Sequence, residues 1–407
     1  MKITALVSLA VAVLAFTEAS PIDRRPRPDS NKGHSVPLTR NKNYKHNGRA
    51  QIAKLAARYP QLGLEERFSH LRNNAASSGH VPLTDVGNDL EYYGNVSVGT
   101  PAQVVKLDFD TGSSDIWFPS STCTTTACKA HTRFNSAKSS TFQNDGRRWT
   151  ISYGDSSSAS GTLGSDIVSV GGISVRQTIG LATKESSQFG SSPEDGLFGL
   201  GFNTIESVSG VKTFLDNAIA AGALAQPVVS AYLPSVRRNG GVGGEYLFGA
   251  IDSTKYTGSL TYVPVTQKGY WQVLIQDAAF NGQSLGQTSQ GIVDTGTTLV
   301  IVGDAVAKSI HGKISGSKND PNNGWLVPCS VKSSTANVSF KMGGVSFNVP
   351  VADLAYEDMG DGSGNCFSGI QGGQDGLWIL GDVFLKNNYC VFSQTSSPSI
   401  GIAPLNY

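Results

Sequence analysis

From about residue 85 onward the chain is a succession of short apolar or alternating runs interrupted by Gly, Asn, Asp and Ser. Alternation with period two, bounded by turn formers, predicts strands with one buried face. The clearest are Gly94–Gly99, Val104–Phe109, Trp149–Tyr153, Leu260–Val265 and Trp271–Ile275. Helical periodicity is scarce. Val211–Ala223 puts Phe214, Leu215, Ile219 and Ala220 on one face before Gly222 and Pro227, and Gln51–Tyr59 is a second candidate. The expectation is a mainly β protein with few short helices.

The same pattern is duplicated. Val104–Phe109 runs into Asp110-Thr111-Gly112-Ser113-Ser114, and Gly291-Ile292-Val293 runs into Asp294-Thr295-Gly296-Thr297-Thr298. An apolar-apolar-Gly unit follows each copy: Leu197-Phe198-Gly199 ends 89 residues after Asp110, and Ile379-Leu380-Gly381 ends 87 after Asp294. Glycine there lets one strand pass close beneath a neighbouring loop, since it has no Cβ to clash. Two halves with one order of parts predict two related β-barrel-like lobes, each supplying one aspartate to a central cleft, where ligands commonly bind. Like charges about 3 Å apart cannot both ionise near neutrality, so one carboxyl stays an acid while its partner stays a base. Water between such a pair becomes a nucleophile without metal, serine or histidine. The pattern points to a peptidase acting at acid pH.

At 407 residues the chain can supply two sizeable cores. Its net charge of +1 conceals a division. Residues 20–75 hold 12 Lys+Arg against 4 Asp+Glu, a net of +8; from residue 76 onward 19 face 26, a net of −7. A basic segment ahead of an acidic body predicts mutual attraction at neutral pH, and the acidic body argues against nucleic-acid binding. Residues 1–19 read as a secretory signal: Lys2, an apolar run Ile3–Phe16, then Thr17-Glu18-Ala19. The run is too short to span a bilayer, so a secreted product without a membrane partner is expected, with a vacuole as the alternative destination. The expected segments are 1–19 signal peptide, 20–75 basic propeptide, 76–252 N-terminal lobe and 253–407 C-terminal lobe.

Five cysteines suit that route. Cys123 and Cys128 could close a small loop, Cys329 and Cys366 could form a second bridge, and Cys390 reads as a buried, unpaired thiol. There is no His/Cys cluster with ligand spacing, and Gly240–Gly244 and Gly360–Gly364 read as loops, so neither metal nor cofactor is expected.

Taken together, both Asp-Thr-Gly motifs, both apolar-apolar-Gly partners, Trp117, Ile151-Ser152-Tyr153-Gly154-Asp155, the two-cysteine loop and Gly381-Asp382-Val383-Phe384-Leu385-Lys386-Asn387-Asn388-Tyr389 carry a likeness. The chain resembles the pepsin-like aspartic proteases, and among them the secreted fungal zymogens of the rhizopuspepsin type. The resemblance implies a bilobed pepsin-like fold with Asp110 and Asp294 as the catalytic pair. It implies that the hydroxyls of Thr111 and Thr295 bond across to the opposite loop, that Ser113 and Thr297 bond the outer carboxylate oxygens, and that Gly112 and Gly296 permit close approach. Tyr153 and Gly154 would close as a flap with Trp117 as the indole partner, and Val36-Pro37-Leu38 would begin a propeptide that replaces a strand of the mature fold. A propeptide lysine usually meets the catalytic pair; here Arg72 and several other basic residues compete for that part. Implied partners are extended protein and peptide substrates, the chain's own propeptide and pepstatin-type inhibitors, with the enzyme a monomer.

Two acidic residues, Asp155 on the flap and Asp108 one strand repeat before Asp110, are expected near the side chain preceding the scissile bond; there Asp155 would accept lysine beside an otherwise hydrophobic and aromatic preference. The alternative is that both are solvated or bonded to local Ser and Thr. Rival readings are weaker. Gly282-Gln283-Ser284-Leu285-Gly286 fits a serine-hydrolase pattern, but Asn281-Gly282 looks like a hairpin turn with no helix after it. A carboxylate-pair glycosidase explains neither the duplication nor the flap-like motif. An inactive pepsin-like binding or inhibitor protein is expected to lose a catalytic Asp or its hydroxyl supports, and all are present. Asn95-Val96-Ser97 and Asn337-Val338-Ser339 are glycosylation candidates at Asn95 and Asn337.

Overall fold

The structure is a computed structural model that describes residues 33–40, 48–64, 92–152, 157–191, 193–235, 238 and 244–407. The expected signal peptide, Arg72, and the flap residues Tyr153, Gly154 and Asp155 lie outside the described residues.

The alternating runs become strands, and the chain is mainly β in two related lobes. Gln103–Asp110 alternates buried and exposed side chains up to its last two residues, and Tyr92–Val98 pairs with it antiparallel. Among the described residues, an eight-stranded sheet forms the N-terminal lobe. An eleven-stranded sheet begins with strands of the first half of the chain and ends in the C-terminal lobe. Val228–Tyr232 of the first half pairs antiparallel with Asn388–Ser393 of the second, as the third and fourth strands of that sheet. One cluster of buried side chains, including Phe109, Phe198, Trp271, Val293 and Phe392, runs through both lobes. Phe109 packs on Phe198 and Tyr246 with ring centroids 4.8 and 5.1 Å apart.

The duplication is topological. Gln103–Asp110 runs parallel to Gly196–Gly199, which pairs antiparallel with Ile116–Pro119. Ser289–Val293 runs parallel to Leu377–Leu380, which pairs antiparallel with Val300–Gly303. A Cβ on Gly199 would lie 2.3 Å from the Ser114 carbonyl carbon, and one on Gly381 would lie 2.2 Å from the Thr297 oxygen. Only glycine lets the strand pass beneath each aspartate loop.

The leading segment is built into this body. His34–Pro37 forms the outermost strand of the eleven-stranded sheet, paired with Glu245–Phe248, and Val36 and Leu38 join the main core. The helix Gly48–Arg58 brings Ile52, Leu55, Ala56 and the following Tyr59 to one face, the i, i+3, i+4, i+7 spacing of an apolar stripe. With Leu62 and Leu64 they cover Ile292, Leu299, Ile301, Leu326, Tyr356 and Phe367 of the C-terminal lobe. The expected helix Gln51–Tyr59 therefore starts three residues earlier. The other expected helix shortens to Phe214–Ala220, stopped at its N-terminus by a Thr213–Asp216 capping box.

Disulfides join Cys123 to Cys128 and Cys329 to Cys366, while Cys390 is buried and free. Burial pushes the Cys390 thiol far up, leaving it inert. Asn281-Gly282 does form a tight turn, with φ of 47° and 76°. Ser284 lies on the exposed strand that follows, its hydroxyl accepting the Gly286 N–H.

Two titratable groups, buried His311 and half-buried Glu206, oppose each other in pH. His311, at the end of the helix Asp304–His311, bonds the Ala307 carbonyl and the Ser368 hydroxyl and stacks on Trp325. Burial lowers it to about 4. The unfolded chain takes up this proton below about 6.5 while the folded chain does not, so stability falls as pH drops from 6.5 towards 4, by about 3 kcal/mol. Glu206 is raised to about 9 by burial and then by Asp115 and Asp216. It stays protonated where the unfolded chain ionises, so its effect is loss of stability as pH rises above about 4.5. His311→Gln is expected to flatten the acid-side slope and Glu206→Gln the neutral-side slope. Urea unfolding at several pH values, in an Asp110→Asn background to prevent self-digestion, measures both; parallel curves for variant and parent would contradict the assignment.

Candidate active site

Asp110 is the last residue of its strand and Asp294 directly follows Ser289–Val293, so both carboxylates emerge at strand-to-turn corners. Both residues are fully buried. The loops are tied to each other reciprocally. The Thr111 hydroxyl donates to the Val293 carbonyl at 3.0 Å, and the Thr295 hydroxyl donates to the Phe109 carbonyl at 2.8 Å. Each hydroxyl also accepts the backbone N–H of the opposite threonine at 3.0 Å. Four buried bonds thus fix one loop against the other, and losing a partner would strand a buried polar group.

Each carboxylate is held in the same manner by its own loop. Asp110 accepts the Gly112 N–H at 2.8 Å and the Ser113 hydroxyl at 2.5 Å. Asp294 accepts the Gly296 N–H at 3.0 Å and the Thr297 hydroxyl. The glycines are also the point of closest approach: a Cβ on Gly112 would sit 2.5 Å from an Asp294 oxygen, and one on Gly296 would sit 2.1 Å from an Asp110 oxygen.

A cation from the leading segment sits between them. Arg58 Nη2 lies 2.7 Å from Asp110 Oδ2, while Nη1 lies 3.2 Å from Asp110 Oδ1 and 3.1 Å from Asp294 Oδ2. The Tyr59 hydroxyl donates to Asp294 Oδ2 at 2.8 Å. Arg58 is the last residue of its helix, where the helix dipole favours a positive charge. Burial would raise Asp294. The Arg58 charge and the bonds from Thr297, Tyr59 and Gly296 together outweigh it, holding Asp294 below the ordinary carboxylate value. Burial, followed by the Asp294 charge, pushes the Tyr59 phenol well up, so it remains a donor.

Beside Arg58 a cavity of about 170 Å³ is lined by Gly112, Ser113, Asp115, Ile151, Ile205 and Tyr270, among others. Ile151 belongs to the long strand Gln143–Ser152, which forms a hairpin with Ser158–Val170. Trp117 is buried beneath that hairpin, its ring 5.7 Å from Trp149 and 5.1 Å from Phe189. Asp108 is half-buried opposite Tyr93. Asn95 is exposed on its strand, whereas Asn337 is half-buried and its amide donates to the Thr335 carbonyl. Among the described residues, the group with metal-ligand spacing is Cys329, Asp358 and Cys366, whose two sulfurs are joined in a disulfide. No helix among the described residues is long and apolar enough to cross a membrane.

The eight loop residues named from sequence converge at one point. Arg58 and Tyr59 were not singled out there, although the helix carrying Arg58 was. The readable signal was their place at the end of an apolar-faced helix in the basic segment.

Two matching loops that hold opposed carboxylates in a cleft define the aspartic class of hydrolytic sites. The family model for eukaryotic aspartyl proteases matches residues 91–405, and the chain belongs to this family of aspartic-type endopeptidases. It is 43% identical to rhizopuspepsin-2 of Rhizopus niveus and 42% identical to rhizopuspepsin of Rhizopus chinensis, over the whole of each chain. It is 39% identical to pepsin A of Callithrix jacchus, over 78% of this chain and 81% of that one.

Proposed function

We propose that the chain is a secreted endopeptidase, made as an acid-activated zymogen, that hydrolyses internal bonds of extended protein and peptide substrates. The observation carrying this reading is the seat of Arg58, with one guanidinium nitrogen 3.2 Å from Asp110 and 3.1 Å from Asp294. A cation of the basic segment thereby occupies the place a substrate carbonyl and its attacking water would need.

The proposed division is a signal peptide at 1–19, a propeptide at 20–75, an N-terminal lobe at 76–252 and a C-terminal lobe at 253–407. Once the propeptide has left, Asp110 and Asp294 share one proton and hold a water between them. The ionised member takes a proton from the water as its oxygen attacks the carbonyl carbon. The protonated member bonds the developing oxyanion and then protonates the leaving nitrogen. The pair titrates as a unit, so neither role is tied to one residue. Thr111, Thr295, Ser113 and Thr297 hold the carboxylates, and Gly112 and Gly296 leave room between the loops. Tyr153 and Gly154 close over the substrate, with Trp117 supporting them from beneath.

Acid activation follows from the sign of the Asp294 shift. Its value is depressed while Arg58 is seated, so the closed form is favoured above that value and loses its advantage as pH falls through it. Digestion of casein at about pH 3, with and without pepstatin, together with N-terminal sequencing of the product, tests the reading. Pepstatin-sensitive cleavage and a new N-terminus within about six residues of Ala76 are expected; an unprocessed, inactive chain would refute it.

Specificity is proposed to be hydrophobic or aromatic on either side of the bond, with lysine accepted before it through Asp155 and with Asp108 nearby. Asp155→Ser is expected to lower kcat/KM for lysine substrates about tenfold relative to phenylalanine ones, the scale of one charge-assisted hydrogen bond. An unchanged ratio would discard this part.

A further inference from the structure

The two carboxylate loops match in kind through four residues beyond the aspartate and then part. The fifth position is Asp115 in the first copy and Leu299 in the second, each just ahead of the strands Ile116–Pro119 and Val300–Gly303. Leu299 is fully buried among apolar side chains. The fold therefore has no general need for a carboxyl at this corner, and burying one is costly unless it is bonded. Asp115 is only 6% exposed.

Its bonds join three separate parts of the N-terminal lobe. Oδ1 accepts the Trp149 indole N–H at 3.0 Å and the Ser207 hydroxyl, and Oδ2 accepts the Ser207 backbone N–H at 3.1 Å. Trp149 is buried, in the strand Gln143–Ser152 that forms the edge of the eight-stranded sheet. Among the described residues that strand is paired on one side only, and residues 143–148 are all exposed. An edge strand with little burial has weak means of fixing its own height. Two and three residues beyond Trp149, the same strand supplies Ile151 and Ser152 to the cavity beside Arg58, which Asp115 and Ser207 also line. The side chain that pins the strand thus also belongs to the wall of the cleft.

We propose that Asp115 is a positioning residue that fixes the outer flap strand over the cleft, setting Ile151 and Ser152 in place before substrate binds. The proposal rests on the endopeptidase reading and adds a specific cause for flap order. Leu299 can accept no hydrogen bond, so this device belongs to one lobe alone. Without the Asp115 bonds, the strand must be ordered by the substrate itself. Apparent affinity then falls by the fraction of molecules in which the strand is already placed, while the rate from the bound complex is kept.

The test uses Asp115→Asn, Trp149→Phe and the double variant. Asparagine keeps the shape but cannot accept all three donors, and phenylalanine keeps the ring but loses the indole N–H. After acid activation, KM for a peptide spanning the cleft is expected to rise about tenfold in each single variant, with kcat within about twofold. The double variant should be no worse than the more affected single one, because both remove the same link. In the full chain, hydrogen exchange should quicken over residues 143–152 and stay unchanged over residues 337–350 of the other lobe. Unaltered KM in both single variants, losses that multiply in the double variant, or losses in kcat alone would overturn the proposal. If the parent enzyme cleaves nothing, the endopeptidase reading fails, and exchange over residues 143–152 still decides the anchor: no change there rejects it.

Discussion

Asparagine in place of Asp110 lowers peptide hydrolysis at acid pH by about a thousandfold or more while the protein stays folded. The same result is expected for Asp294→Asn. The amide cannot share a proton with the opposite carboxylate and cannot accept one from water, so both halves of the acid–base cycle are lost, and such groups contribute roughly 10²–10⁴-fold each. Shape is preserved. The amide oxygen of residue 110 can still accept the Gly112 N–H now found at 2.8 Å, and the four threonine bonds between the loops do not involve the carboxylates. Removing one of two buried like charges also relieves repulsion once Arg58 has gone. Cleavage rates should therefore collapse while the unfolding midpoint of the trimmed enzyme, from which Arg58 has gone, shifts little. The precursor variant should also fail to process itself yet be trimmed by added wild-type enzyme. Turnover within about tenfold of the parent would remove the pair from the mechanism.

The loops were legible because each carries its chemistry in a few consecutive residues. Aspartate, threonine, glycine and a hydroxyl residue bond one another or their mirror copies, and the chain brings them in order. The strands were legible where one face is buried. The strand at Gln143 was read only from Trp149 because its first six residues are an exposed edge with no alternation to show. The short helices Thr126–Ala130, Asp304–His311 and Asp382–Leu385 were missed for another reason. At four to eight residues they have too few turns to show a period. Thr126–Ala130 is set by the Thr125 cap and the Cys123–Cys128 bridge, and Asp382–Leu385 by Gly381 passing under the Thr297 loop. Arg58 was hidden among twelve cations between residues 20 and 75. Nothing local marks it. What selects it is distance: Ile52, Leu55 and Ala56 seat the helix on the C-terminal lobe, and its last residue then falls between the carboxylates.

That placement makes Arg58→Ala the substitution with the largest expected effect on latency. Arg58 is nearly buried, its side chain 6% exposed, and forks onto Asp110 while also reaching Asp294. Removing one partner of a buried ion pair costs about 3–5 kcal/mol, because the remaining charges lose their compensation. With both carboxylates left facing each other, burial raises Asp294 unopposed by the cation, and the pair takes up its shared proton at a higher pH. The closed form loses its main electrostatic support at the moment the open form acquires the protonation state that hydrolysis needs. The Arg58→Ala precursor should therefore show pepstatin-sensitive cleavage, and its own processing, at about pH 5–6, where the parent precursor is silent; the open fraction should rise about a hundredfold or more. Arg58→Lys should fall between them, since an ammonium cannot fork onto both oxygens of Asp110 and still reach Asp294. Tyr59→Phe removes a single donor from Asp294 and should move the threshold less than either. A pH series of N-terminal sequencing on the four precursors orders them. If all four begin processing at the same acidity, the lock lies in the apolar seat of the helix and the charge between the aspartates is incidental.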